Sequence, residues 1–203
     1  METITLPKIA SPTRADAAQA IRDAQALAKL DNKRAWDALG EIFRDGKAPN
    51  LPPDGRYKGE LIALEIAPGL TQIARAIAGA WLPWKGKAFY PANARGDNLF
   101  TRDSLGLAHL IWPLYGGYVE SASPIYRAFA FKTRIALGLF DPDRQVLKID
   151  YDLSENPAAT VRRVLDEIVQ VSDNFYIGKA HLKWWWGKWQ TVAYFTLAGG
   201  KAV

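Results

Sequence analysis

The sequence predicts a mainly β fold with added helices (α+β): an antiparallel barrel or strongly curved sheet of roughly eight strands, with an N-terminal helical hairpin and short inserted helices. Three observations predict it. First, Asn174 to Leu197 reads as two strands meeting at a tight turn, because Phe, Tyr, Trp, Ile, Val and Thr fill the runs and Gly187 supplies a residue tolerant of positive φ. Second, from Gly55 onward short β-rich runs recur between Pro, Gly, Asn and Asp clusters. Third, an aromatic–X–Gly pattern begins three of these runs, at Tyr57-Lys58-Gly59, Trp84-Lys85-Gly86 and Tyr176-Ile177-Gly178. Glycine inside a strand marks a sharp bend or a close backbone approach, which small barrels need at their corners. The aromatic two residues earlier shares the glycine's face and can cover the bare backbone.

In chain order, Ser11 or Thr13 can cap a helix that carries Ala17, Ala20, Ile21, Ala24 and Leu27 at helical spacing to about Leu30, with Asp16 in its first turn. A second helix spans 33–44, burying Trp36, Leu39, Ile42 and Phe43, and Asp45-Gly46 stops it. The turn-rich segment 48–55 is the clearest boundary, so residues 1–50 form a tail and helical hairpin packed on the barrel of residues 51–203. A strand over 56–66 leads to a helix over 70–82, ended by Pro83. A hairpin follows, 84–91 with 95–101, turning at Ala92-Asn93-Ala94. Asp103-Ser104 caps a short helix, 105–114, and a short strand lies between Gly117 and Ser123.

Residues 125–137 alternate, with Phe129, Phe131 and Thr133 opposite Ala128, Ala130 and Lys132. Asp141-Pro142-Asp143-Arg144 turns the chain into a strand over 146–153. Asn156-Pro157 opens a helical turn through Val161 and Arg162, and Asp166-Glu167 begin a strand or cap that turn. In the final hairpin Tyr176, Gly178, Ala180, Leu182 and Trp184 share one face, opposite Ile177, Lys179, His181, Lys183 and Trp185. In its second strand Trp189, Thr191, Ala193, Phe195 and Leu197 alternate with Gln190, Val192, Tyr194 and Thr196.

Composition narrows the function classes. Hydrophobic residues are 49% of 203, enough for a sizeable core, and the aromatic share of 12% with 8 Trp suits an apolar binding site. The net charge of +5 is spread among 21 acids without like-charge blocks, so nucleic acid is not the expected partner, although peripheral contact with an anionic membrane is compatible with it. With 0 cysteines, disulfides, thiolate metal sites and cysteine nucleophiles are excluded. The start of the chain lacks a signal-peptide pattern, and the apolar window 61–84 is broken by Glu65, Pro68, Arg75 and Pro83, so a cytoplasmic location is expected.

Gly55-Arg56-Tyr57-Lys58-Gly59 resembles the Gly-x-Trp-x-Gly signature on the first strand of lipocalin-like, fatty-acid-binding and nitrobindin-like (calycin) barrels, with Tyr where those families carry Trp. The resemblance implies a barrel enclosing an apolar cavity for lipid, pigment or haem. The helical hairpin and inserted helices depart from the pattern.

The primary expectation is therefore a binder of a hydrophobic small molecule. Tyr57, Trp84, Phe129, Phe131, Tyr176 and Trp184 would line or close the cavity, and Arg127, Arg134 and Lys179 would meet a carboxylate or phosphate head. The nitrobindin-like resemblance nominates His181 as a haem ligand. Its face, shared with Lys179 and Lys183, also fits an ordinary hydrogen-bonded histidine. Otherwise no cofactor and no metal is expected. The alternative is a cofactor-independent isomerase or cyclase in the same cavity. Asp150 and Asp152, two apart on one strand, would form an acid/base pair with Tyr151 beside them. If Ile149, Tyr151 and Leu153 face the core instead, both acids are solvated. The run Trp184-Trp185-Trp186 alternates faces, which fits a hairpin end bridging core and rim.

Overall fold

Strand-forming runs become strands here because each offers one apolar face, and eight such faces close on a common interior. The computed structural model describes residues 13–28, 30–49, 53–65, 83–119 and 124–199. The strands are β1 (Gly55–Leu64), β2 (Trp84–Tyr90), β3 (Arg95–Thr101), β4 (Ile125–Leu137), β5 (Gln145–Asp150), β6 (Val164–Ser172), β7 (Phe175–Lys183) and β8 (Trp189–Gly199). Each pairs antiparallel with the next, and β8 pairs back onto β1, closing the barrel and leaving no free edge. Two helices precede it, α1 (Arg14–Ala28) and α2 (Asn32–Asp45), and α3 (Leu105–Ile111) follows β3. No helix among the described residues is long and apolar enough to cross a membrane.

Local chemistry sets the helix starts. Thr13 and Asp16 cap each other: the Thr13 N–H and hydroxyl donate to Asp16 Oδ2 at 3.0 and 2.7 Å, and the Asp16 N–H donates to Thr13 Oγ1 at 3.2 Å. Asp31 caps α2 by accepting from the Arg34 N–H at 3.0 Å. Ala17, Ile21, Ala24, Leu39 and Phe43 then bury against Val146, Val169, Phe175, Ile177 and Tyr194 on the outside of β5–β8. The helical hairpin thus gives that part of the barrel wall a second, external core.

Three irregularities reshape the interior. Between the pairs Trp84↔Phe100 and Gly86↔Leu99 the register slips, and Gly86 takes φ +136°. A Cβ there would sit 1.9 Å from the Tyr57 carbonyl oxygen, so glycine is required both by the torsion and by the neighbouring backbone. The slip turns Lys87 inward although Trp84 already points in. A second slip, at Ala180↔Ala193 and His181↔Thr191, brings Val192 into the interior beside Ala193, where strict alternation predicts the opposite face. The third lies opposite Gly96–Asn98, where Phe129 adopts φ +54°. Ala128 and Phe129 are both buried as a result, so the expected alternation across 125–137 breaks at that point.

Other expectations differ in detail. The aromatic–X–Gly glycines are covered across the sheet rather than by their own aromatics: Gly59 lies under Trp84, and Gly178 lies under Phe195. Residues 156–163 contain only a short 3-10 turn (Val161–Arg163), and Asp166 and Glu167 lie inside β6. Of the short strand expected between Gly117 and Ser123, Val119 forms a bridge to Arg127, and residues 120–123 lie outside the described residues. The helix expected over 70–82 falls outside the described residues.

Candidate functional site

The barrel interior divides into a solid end and a hollow end. At the solid end Tyr57, Phe89, Phe131 and Tyr176 interlock edge to face, with centroid separations of 5.6 Å for Tyr57–Phe89, 5.5 Å for Tyr57–Tyr176 and 5.4 Å for Phe89–Phe131. At the other end a cavity of about 300 Å³ is walled by Phe100, Phe129, Leu182, Val192 and Phe195. Trp112, just after α3, and Trp184 and Trp185 in the β7–β8 turn line its mouth. Trp184 stacks on Trp186 at 5.1 Å with an interplanar angle of 3°, and its N–H donates to Gln190 Oε1 at 2.9 Å, which stiffens the turn.

Between the two ends lies a polar floor. Lys87 Nζ donates to Asp166 Oδ2 at 2.8 Å, to Asn98 Oδ1 at 2.9 Å and to the Tyr151 hydroxyl. The Tyr151 hydroxyl donates to Asp166 Oδ2 at 2.9 Å and accepts from Asn98 Nδ2 at 3.2 Å. Asn98 also accepts from the Trp84 N–H at 3.1 Å and donates to the Phe129 carbonyl at 3.2 Å. Aromatic faces surround the cation, with the Phe131 and Phe195 centroids each 5.4 Å from Nζ. All four polar residues are buried, and all four line the cavity. Asp166 Oδ1 is left without a hydrogen-bond partner. Burial drags the Lys87 pKa down, against the pull of Asp166, which raises it. Burial and then the adjacent Asp166 charge push the Tyr151 pKa well above its ordinary value, so the phenol stays protonated.

A second buried network sits on the outside of the barrel. Glu167 accepts from His181 Nε2 and Lys148 Nζ, each at 3.2 Å, and from the Leu139 N–H at 2.8 Å. His181 Nδ1 meets Thr191 Oγ1 at 3.0 Å, and Lys179 pairs with Asp141 at 2.5 Å. These bonds hold the β4–β5 connection, residues 138–144, against β5–β7.

The sequence-predicted residues scatter accordingly. Trp84, Phe129, Tyr151 and Trp184 come together around the cavity. Phe131 lies against the floor, while Tyr57 and Tyr176 belong to the solid end. Arg127 is outside, donating to the Tyr90 hydroxyl at 2.7 Å beside Asp97, and Arg134 is exposed on β4. Lys179 and His181 lie in the outer network, with both ring nitrogens of His181 engaged. Ile149, Tyr151 and Leu153 are the buried side of their segment. Asp152 pairs with Arg162 at 2.7 Å, and Asp150 accepts the Asp152 N–H at 3.0 Å, away from the cavity. Lys87, Asn98 and Asp166 are not among the site residues expected from the sequence, where Asp166 is read only as a strand start or cap. Their signal was phase: each lies two residues before a buried apolar residue of the interior, namely Phe89, Phe100 and Ile168.

No protein-family model matches the chain, and no curated protein matches it. Among solved structures it is similar to a protein from Thermomonospora curvata, at 16% identity and a TM-score of 0.48, with 88% of this chain and 99% of that chain covered. A closed barrel with a cavity of this kind is compatible with ligand binding.

Proposed function

We propose that the chain binds a hydrophobic small molecule in the hollow end of the barrel. One observation carries the reading: an aromatic-walled cavity of about 300 Å³ whose floor gathers Lys87, Asn98, Tyr151 and Asp166. That volume is at the lower end of the roughly 300–1,000 Å³ common for ligand pockets, so a guest of modest size is favoured. A hydrophobic core built only for stability would fill this space, because voids cost contacts and buried ions cost solvation. The lipocalin-like resemblance at Gly55–Gly59 supports the same reading.

Trp84, Trp112, Trp184 and Trp185 border the cavity, so a guest would report itself through intrinsic fluorescence. Titration with Nile red and with straight-chain C10 compounds is expected to give a saturable change. Native mass spectrometry of the same mixtures should show one added mass per chain. A panel giving neither result would remove the proposal.

A second reading, a cofactor-independent enzyme, rests on Tyr151. Its hydroxyl lies at the cavity floor between Lys87 and Asp166 and keeps its proton, which it would pass to a substrate only by leaving Asp166 Oδ2. Turnover of a bound hydrophobic substrate that Tyr151→Phe abolishes, with folding and binding intact, would establish it. Turnover unchanged in that variant would exclude Tyr151 as the acid.

A further inference from the structure

The polar floor also specifies the head group of the guest, an inference that rests on the binding reading above. We infer that the cavity selects a guest with a neutral hydrogen-bond donor, a hydroxyl above all, and rejects a carboxylate at the floor.

The argument is an accounting of donors and acceptors. The Lys87 ammonium has three N–H bonds, and these meet Asp166, Asn98 and Tyr151. The Tyr151 proton goes to Asp166 Oδ2 at 2.9 Å, and the two amide protons of Asn98 go to Tyr151 and the Phe129 carbonyl, each at 3.2 Å. The floor therefore has no donor left for a ligand carboxylate. What it has left is an acceptor, Asp166 Oδ1, which is unpartnered in a side chain that is 5% exposed. Oδ1 has almost no exposed area of its own, and the soft torsion about the carboxylate bond lets the group twist part-way so that an oxygen reaches a guest while Lys87 is kept.

Charge gives the same answer. Lys87 and Asp166 form a pair of opposite charges 2.8 Å apart. A neutral hydroxyl leaves that balance intact and satisfies a buried oxygen that otherwise lacks a partner. A carboxylate would bring a second anion against Asp166, and an ammonium would bring a second cation against Lys87, each without a counter-charge. The cationic residues once expected to greet an acidic head, Arg127, Arg134 and Lys179, stand outside the barrel. Arg163 and Lys183 lie at the mouth, where Arg163 Nε donates to the Lys183 carbonyl at 2.9 Å, so an acid could be held there only with its tail inward and its head in water.

Four probes with the same C10 tail test this by tryptophan fluorescence: 1-decanol, decyl methyl ether, decanoate and decylammonium. Decanol is expected to bind at least about tenfold more tightly than each of the others, the ether measuring the donor and the ions measuring the charge. In Asp166→Asn the amide oxygen keeps Lys87 while its NH₂ turns to the cavity, and Lys87 loses its counter-charge. The preference for decanol over decanoate is then expected to shrink by at least about tenfold or reverse. An ether equal to the alcohol, or an ion bound more tightly than either, would overturn the inference while leaving a hydrophobic binding cavity in place. If none of the four binds, the binding reading itself falls. Because the wild-type comparison stands alone, a failure of the Asn variant to fold leaves the test decisive.

Discussion

Substituting Lys87 by Met tests whether the polar floor is present for stability or in spite of it. Met keeps the length of the side chain and removes Nζ, with its contacts to Asp166 at 2.8 Å, to Asn98 at 2.9 Å and to Tyr151. Lys87 and Asp166 are 3% and 5% exposed at the side chain, so solvent does little to relieve the carboxylate left behind. Breaking a buried pair from one side costs about 3–5 kcal/mol. In a chain of 203 residues that lowers Tm by about 6–20 °C, at ~2–4 °C per kcal/mol. Asp166→Leu is expected to cost a similar amount by stranding the ammonium. The double variant strands neither charge, and Tyr151 and Asn98 keep the 3.2 Å hydrogen bond between them. It is expected to recover most of the loss, because an apolar replacement of a buried pair is neutral or stabilising by about 1–4 kcal/mol. Urea unfolding of the four proteins gives the coupling directly. A double variant as unstable as the sum of the singles, or a Lys87→Met protein within about 1 kcal/mol of the parent, would refute this view of the floor.

The outer network carries a pH signature. Burial pushes the Glu167 pKa up, but His181, the Leu139 N–H and Lys148 outweigh it and leave it below 4.5. A depressed folded pKa means stability that is present above the unfolded value and lost as pH falls through the folded one. Glu167→Gln should therefore be about 1–3 kcal/mol less stable near neutrality and should converge with the parent as pH falls through the lowered folded pKa; parallel Tm–pH curves would contradict this. Two glycines with positive φ, Gly86 at +136° and Gly187 at +88°, should answer differently to alanine. Gly187→Ala, in open space, should lose about 1–2 kcal/mol, and Gly86→Ala at least twice that, because backbone must move; equal losses in denaturant melts would refute the close-approach argument. Leu110, Leu114, Trp185 and Trp186 are exposed, as are Lys183 and Lys188, which flank the tryptophan run in sequence. Co-sedimentation with anionic vesicles that weakens with salt is expected, and Leu114→Glu should reduce the partition about tenfold or more; no sedimentation at low salt would retire a membrane partner.

Much of the architecture was legible because it follows from local pattern. The hairpin around Gly187 and the turn at Asp141–Arg144 combine β-formers with residues suited to the bend, whereas the hairpin that turns through Pro91–Asn93 ends on Ala94 at φ +52°, a conformation its side chain does not favour. Both N-terminal helices announce themselves through period and caps, although the Asp31 cap lies one turn ahead of the apolar residues that suggest the helix. Less legible were segments whose shape depends on partners. Among the described residues, 117–119 pair through one bridge, Val119 to Arg127, which no local pattern announces. Asn156 shows why its loop stays irregular: its amide donates to the Ala130 carbonyl at 2.7 Å and the Tyr151 carbonyl at 2.9 Å, so its side chain is spent on the barrel and not on a helix start.

The site was harder to read because two rules of thumb compete at it. Alternation assigns faces, and polarity assigns exposure; where both point the same way, as for Asp150 and Asp152 against Ile149 and Leu153, the reading is safe. At Asn98 and Asp166 they disagree: polarity argues for exposure, as in the expectation that Asp166 begins a strand or caps a turn, while phase puts both side chains in the interior. At Lys87 even phase is altered, because the slip at Gly86 changes which residues of β2 face inward. His181 is the converse case. Its phase correctly sets it opposite Gly178 and Ala180, yet it is fully buried, because the outside of β7 is itself covered by residues 138–144 and α2. Burial alone therefore does not mark the site in this barrel. What separates the two buried networks is what remains unsatisfied. Both carboxylate oxygens of Glu167 have partners, whereas Asp166, which lines a cavity of about 300 Å³, has one oxygen without a partner. A complete network needs no ligand to finish it; the incomplete one beside open space is where a guest would make the missing bond.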